Sequence, residues 1–361
     1  MRNDEIVKKM QQIASEYPDN LAAQYFDAEW YLQLPTEQQG RFSKIIATCL
    51  ANPDSEMGCY AMYGDDYDLF NDFFANVIRD YHHIERPRKI TQPHDWGLDQ
   101  HCDLSVIEPE FHKLSMRVRV ARNHARYPLP GAMTKEQRVE LENEMIGVFE
   151  GLISDPEYGG CYLSLTPNSP YEITEKAYQE RIQAHQMFKN MSGDPYLDAA
   201  NISGDWPYGR GMYISTDEDF IIWVGEEDHF RIMAMRRGTT LNKLFSRLKH
   251  GLDQVEDALG GFAHSDKFGY VTSCPTNLGT GMRASLHIQL PNLCAAGLPT
   301  LKQKAKALKL SVRGAGGEHS DPGKGGLVDI SPKARLGVAE VDIMQKLFDG
   351  IEALWQAEKA L

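Results

Sequence analysis

Between Leu114 and Ala121 the chain alternates, with Leu114, Met116, Val118 and Val120 apolar and Ser115, Arg117, Arg119 and Ala121 small or charged. A period of two sends successive side chains to opposite faces of a β-strand, so this segment reads as a strand with one apolar and one polar face. Further strands are expected over residues 210–215, 219–224, 230–235, 269–273, 283–290, 308–313 and 326–330. Helical periodicity separates some of them. Thr134 and Gln137 suit a capping box, and Leu141, Met145, Val148 and Leu152 follow at helical spacing. Leu241, Leu244, Leu248, Leu252, Val255 and Leu259 keep that spacing until Gly260-Gly261, and Val341, Met344, Phe348, Ile351 and Trp355 repeat it. Strands with one polar face predict an antiparallel sheet whose apolar side is covered by helices. Residues 1–85 read as helical, and the stretch Pro87–Pro109 has no clear period. The expected fold class is α+β, with a helical N-terminal domain over 1–90, a linker over 91–111 and a larger sheet domain over 112–361.

The chain has 361 residues, enough for two domains, and 42% hydrophobic and 25% charged content, ordinary for a globular protein. Its formal net charge of −13 argues against a nucleic-acid or membrane-surface role, either of which favours a basic face. Met1-Arg2-Asn3-Asp4-Glu5 leads into no apolar stretch, and the run Phe220–Val224 is too short to span a bilayer. Cys49, Cys59, Cys102, Cys161, Cys274 and Cys294 form no CxxC pair and no metal-ligand spacing. Reduced thiols in a cytoplasmic protein are the simplest expectation.

Against that acidic background, arginines recur at comparable places on different strands. Arg117 and Arg119 share one face, Arg231 leads its strand, Arg283 and His287 lie on the polar face of theirs, and Arg313 ends the run Leu308–Arg313. Planar guanidinium groups converging on one face suit a polyphosphate, since each binds phosphate oxygens bidentately. A solvated sheet face would look the same, and spacing alone leaves both readings open. Gly279, Gly281 and Ala284 imitate a dinucleotide fingerprint, but a strand follows where a helix is required. Gly323-Lys324 resembles part of a phosphate loop, but Gly325 replaces its Ser/Thr. Taken alone, Glu226-Glu227-Asp228 reads as a hydrophilic turn and Cys274 as a small buried hydrophobe. The glycine-rich stretch from Arg313 to Gly326 reads as a plain loop or a lid.

Cys274-Pro275-Thr276-Asn277-Leu278-Gly279-Thr280 resembles the hallmark heptapeptide of the phosphagen (ATP:guanidino) kinases. Trp223–Arg231, Ser115–Arg119 and Arg313–His319 are similar to three more blocks of that family, in the same order. The resemblance implies a glutamine-synthetase-like catalytic domain. It also implies ATP contacts for Ser115, Arg117, Arg119, His185, Arg231, Arg283, His287 and Arg313. Glu227, Glu318 and Cys274 match the groups around the acceptor guanidinium, and residues 54–61 align with a guanidino-specificity loop. Within it, Ser55, Glu56, Met57, Gly58 and Tyr60 are expected to line the acceptor site.

Two carboxylates would hold the guanidinium, with Glu227 taking a proton as the N–P bond forms, while the arginines and Mg²⁺ neutralise the phosphates. The ion is expected on phosphate oxygens and water, with no protein ligand. Cys274, as a thiolate, would orient the guanidinium electrostatically. The short specificity loop and Glu318 point to the arginine-directed members, hence to phospho-L-arginine and ADP as products and, by expectation, to a monomer. Glu56, Met57 and Gly316 depart from the usual residues there, which keeps taurocyamine and other guanidino acceptors open. Creatine-directed and protein-arginine kinases are the other members weighed, and a catalytically dead nucleotide sensor is the alternative from another class.

Overall fold

A computed structural model describes residues 1–314 and 321–361. Its first eighty residues are helical, from Asn3–Glu16 to Asn71–Tyr81. Short polar side chains start several of these helices. Asn20 accepts from the Ala23 N–H at 3.0 Å, and Asp27 accepts from Glu29 and Trp30, each satisfying donors that a first turn leaves open. Between the helices Tyr31, Phe42, Phe70, Phe73 and Phe74 form an aromatic core; Phe42 meets Phe73 edge-on at 4.9 Å between centroids. Residues 82–114 hold two 3₁₀ helices, Leu104–Val106 and Pro109–Lys113, and no α-helix or strand, and the stretch Pro87–Pro109 expected without a period lies within them.

The remainder is built on ten strands: β1 Ser115–Arg122, β2 Gly160–Ser164, β3 Gly211–Ser215, β4 Phe220–Val224, β5 Phe230–Arg237, β6 His264–Ser265, β7 Gly269–Tyr270, β8 Met282–Gln289, β9 Leu310–Gly314 and β10 Leu327–Pro332. Among the described residues, eight of them form one antiparallel sheet in the order β2-β3-β4-β5-β1-β8-β10-β9, and β6 and β7 make a separate hairpin. One face carries Met116, Val118, Val120, Ile232, Ala284, Leu286, Ile288, Val328 and Ile330, all buried. Helices Lys135–Leu152, Leu241–Leu259 and Glu340–Lys359 cover it through Met145, Phe149, Leu244, Leu248, Met344 and Leu347. The predicted capping box is present: Gln137 N–H donates to Thr134 Oγ1 (3.3 Å) and Gln137 Oε1 accepts from Thr134 N–H (3.0 Å). Gly260, at φ +74°, ends the second helix in the left-handed region.

Two strand expectations change. β2 has no hydrophobic alternation because its inward side chains are polar; Tyr162 and Ser164 donate to the buried Glu142 at 2.9 and 2.6 Å. In the expected strand 269–273 only Gly269–Tyr270 pairs. Beyond it, isolated backbone bonds such as Val271 N–H to the Ala263 carbonyl alternate with side chains, Asn123 Nδ2 donating to the Val271 carbonyl and Asp228 accepting from the Ser273 N–H. Among the described residues no helix is long and apolar enough to cross a membrane.

Phe149 is 1% exposed and stacks on Tyr162 and Tyr213 at 5.0 and 4.8 Å, tying the helix Lys135–Leu152 to β2 and β3. Phe149→Ala is expected to cost about 3–5 kcal/mol, read from the denaturant midpoint. A loss below about 1 kcal/mol would mean that this contact does not anchor the helix.

Candidate active site

The strand register decides where the arginines go. Arg119 lies directly opposite Arg283, Arg117 opposite Ser285, and Ser115 opposite His287. On the other side of β1, Ala121 lies opposite Arg231, which puts Arg231 on the same face as Arg117 and Arg119. Asp329 of β10 faces His287 on one neighbour and Arg313 on the other. Seven of the eight residues matched to ATP contacts therefore share one face of the sheet, opposite the helices. The other half of that face is apolar: Met212, Ile214, Ile221, Trp223 and Met233 are roofed by Tyr178, Met187, Phe188 and Met191. His185, the eighth, sits on this roof in an exposed turn at φ +58°. The next residue's carbonyl, Gln186, accepts from Trp223 Nε1 at 2.6 Å.

Like charges dominate the polar half. The Arg119 guanidinium is pushed well below its usual range by burial and then by Arg231, Arg117 and Arg283. Burial and Arg283 lower that of Arg117. Asp329 compensates locally by accepting from Arg283 at 2.5 Å, and His287 Nε2 stands 3.7 Å from its other oxygen. Burial lowers His287, which Asp329 opposes, while Arg117 and Arg283 add to the lowering. A cavity of about 740 Å³ reaches Arg283 and Arg313. Such a surface is arranged for several negative charges at once.

At the edge of the arginine face, the β4–β5 turn carries three carboxylates that behave differently. Asp228 is 2% exposed and works as a staple. It accepts from Asn123 Nδ2 and the Ser273 N–H, both at 2.7 Å, joining the turn to the segment before Cys274. Glu226 pairs with Arg231 at 2.9 Å. Glu227 accepts through Oε2 from Arg231 and from Asn277 Nδ2, each at 3.3 Å. Burial, Glu226 and Asp228 push its carboxyl up to about 7. Cys274 follows that segment with its thiol accepting from Thr276 Oγ1 at 3.1 Å. Burial and the neighbouring Glu227 push this thiol up to about 12, the direction opposite to the thiolate expected there.

Residues 54–61, the expected specificity loop, lie beside Glu227. The Ala61 N–H donates to the Ser273 carbonyl (2.7 Å), and Tyr67 Oη donates to that of Thr272 (2.8 Å), fastening the loop region to the Cys274 segment. Asp54, Ser55, Glu56 and Tyr60 line a second cavity, of about 500 Å³, with Asp194, Tyr196 and Glu227. Glu56 borders both cavities. Two expected acceptor contacts are corrected. Met57 turns inward, 7% exposed in the helical core, and does not border the cavity. Gly58 has a backbone role: at φ +71° a Cβ would lie 2.5 Å from Asn20 Oδ1, and its N–H donates to Ser55 Oγ at 3.0 Å. Glu318 and Gly316 lie outside the described residues. Asp329, Asp228, Asn277 and Tyr196 were missed from the sequence. Only Asp329 left a periodic signal, as the carboxylate on the polar face of the strand expected over 326–330.

Two family models match the chain: the ATP:guanido phosphotransferase C-terminal catalytic domain over residues 140–361 and the N-terminal domain of the same name over 16–79. An arginine kinase of Anthopleura japonica is 38% identical over 318 residues, 87% of this chain, which spans 42% of that protein's length. An arginine kinase of Artemia franciscana is 36% identical over 345 residues, covering 94% of this chain and 93% of its own. The substrate-free duplicated taurocyamine kinase of Schistosoma mansoni superposes on 97% of this chain and 49% of its own, with a TM-score of 0.83 and 31% identity. The helical N-terminal unit, the sheet with its arginine face and these matches agree: the chain belongs to the ATP:guanido phosphotransferase family.

Proposed function

We propose that the protein transfers the γ-phosphoryl group of MgATP to the guanidino group of L-arginine, giving phospho-L-arginine and ADP, reversibly. The observation that carries this reading is the half-buried Glu227 at the edge of a face of five arginines. The arginines, with Ser115 and His287, hold the phosphates. Glu227 orients the guanidinium, with Glu318 as its expected partner, so that one nitrogen stands in line with the γ-phosphorus. As the N–P bond forms, the bond from phosphorus to the β–γ bridging oxygen breaks. The proton released by the attacking nitrogen passes to Glu227, and the developing charge is held by the guanidinium groups. The magnesium ion rides on phosphate oxygens and water.

Charge supports arginine among guanidino acceptors. The acceptor cavity is bordered by Asp54, Glu56 and Asp194 besides Glu226 and Glu227, and by no lysine, arginine or histidine among the described residues. An acceptor whose far end carries an ammonium group is favoured there, and one with only a sulfonate or carboxylate is repelled. The relatives that bear the name arginine kinase agree with this choice. The likeness to a taurocyamine kinase makes a sulfonated acceptor the second reading. A monomeric, cytoplasmic enzyme completes the proposal, and a native mass of one chain is its check.

Initial rates of ADP release with arginine, taurocyamine, creatine and an arginine-containing peptide test the acceptor. Arginine is expected to give a kcat/KM at least about tenfold above the others, since one unfavourable charge costs about 1.4 kcal/mol or more. Preference for taurocyamine would overturn the choice. Because Glu227 acts unprotonated, kcat/KM for arginine should rise with pH through about 7 and level above it, and a profile flat from pH 5.5 to 8 would remove Glu227 as the base. Glu227→Gln should lower kcat by about 10²–10⁴-fold with ADP affinity largely kept. Arg283→Ala, which also removes the cation hydrogen-bonded to Asp329, should weaken ADP binding about tenfold or more in calorimetry. Unchanged affinity would take Arg283 out of the phosphate site.

A further inference from the structure

Arg335 follows β10 and packs against the Cys274–Asn277 turn. Its guanidinium donates to the Thr276 carbonyl at 3.0 Å and to Asn277 Oδ1. Its own carbonyl accepts from the Thr280 N–H (2.9 Å) and hydroxyl (3.1 Å), so both ends of the residue are tied to the heptapeptide. Asn277 in turn donates from Nδ2 to Glu227 Oε2. A guanidinium has only donors, so Asn277 must turn its oxygen toward Arg335, and that leaves its NH₂ group facing Glu227. An NH₂ group can only donate, which favours the ionised carboxylate. Freed from Arg335, the amide can turn over and offer its oxygen to a protonated Glu227 instead.

We propose that Arg335 is a positioning residue for phosphoryl transfer, fixing the Asn277 amide so that Glu227 is kept as a hydrogen-bond acceptor, ready to take the proton of the guanidino nitrogen. The proposal rests on the reading of Glu227 as the base. The groups around that carboxyl fall into two sets. Glu226 and Asp228 of its own turn oppose ionisation, and Cys274 and Tyr60 face it from the heptapeptide and the specificity loop. Arg231 and Arg335 favour ionisation from two other elements. Arg231 acts by direct contact, and Arg335 acts by its charge across space and, in this proposal, through the amide as well. Both contacts fall on Oε2, so neither occupies Oε1.

The test follows the Glu227 carboxyl directly, by carbon-13 NMR of carboxyl-labelled glutamate, with Glu227→Gln identifying the signal and acceptor kcat/KM measured alongside. Arg335→Met and Asn277→Leu are each expected to raise the titration midpoint by about one pH unit. The double variant should go no further than the larger single shift, because both cut one chain of contacts. Arg335→Lys, which keeps a cationic donor, should lie closer to the unaltered protein. An unmoved midpoint in Asn277→Leu, or shifts that add in the double variant, would overturn the proposal. Asn277→Leu leaves Arg335 bonded to the Thr276 carbonyl, so it decides the matter even if Arg335→Met does not fold. Absence of turnover in the unaltered protein would sink the phosphotransfer reading while leaving the NMR result to judge the relay.

Discussion

Everything distinctive about this molecule depends on guanidinium groups held close together on one sheet face. Arg119 and Arg283 are cross-strand partners, a pairing in which like charges repel. Burial adds to the cost, and Asp329 with Glu226 and Glu227 offsets only part of it. The face persists because the same strands carry Met116, Val118, Val120, Leu286 and Ile288 on their other side, each fully buried side chain contributing about 1.5–3 kcal/mol. A protein of formal net charge −13 has thus stored local positive potential against a hydrophobic core. Triphosphate oxygens are the complement that such a face lacks.

On the proposed acceptor side the problem is the opposite one, a carboxylate that as a base would have to stay reactive without being neutralised. Asp228 ties the Glu226–Glu227 turn to the Cys274 segment through Asn123 and Ser273, and Tyr67 and Ala61 tie that segment to the specificity loop. Glu227 is therefore fixed between the helical unit and the sheet. Its environment raises its proton affinity, while Arg231 and Arg335 moderate the rise. A base near neutrality is what proton removal from a guanidino nitrogen calls for.

Much of this was legible before any coordinates. The period-two pattern of Leu114–Ala121 and of residues 283–290 located the polar face, and with it five of the eight residues matched to ATP contacts. Convergence was a matter of register, which spacing within single strands cannot supply. β2 escaped because its inward face is Tyr162 and Ser164 bonded to Glu142, so burial left no hydrophobic signature. Met57 was misassigned since neighbours in a loop need not point the same way. The stapling role of Asp228, read only as part of a hydrophilic turn, and the contacts of Arg335 were invisible because their partners lie 45 and 58 residues away in the chain, and no local pattern records such a contact. The Cys274 thiol is pushed up first by burial and then by Glu227, against the direction of the thiolate expectation.

The central claim is that this face and this carboxylate together move a phosphoryl group onto nitrogen. Phosphorus-31 NMR of the protein with MgATP and free arginine tests it most directly. The account predicts that the γ-phosphate signal declines as an acid-labile phosphoguanidine signal and ADP grow in step. It also predicts that added ADP and phospho-L-arginine run the exchange backward. Conversion of ATP to ADP and inorganic phosphate alone, or no change, would contradict it.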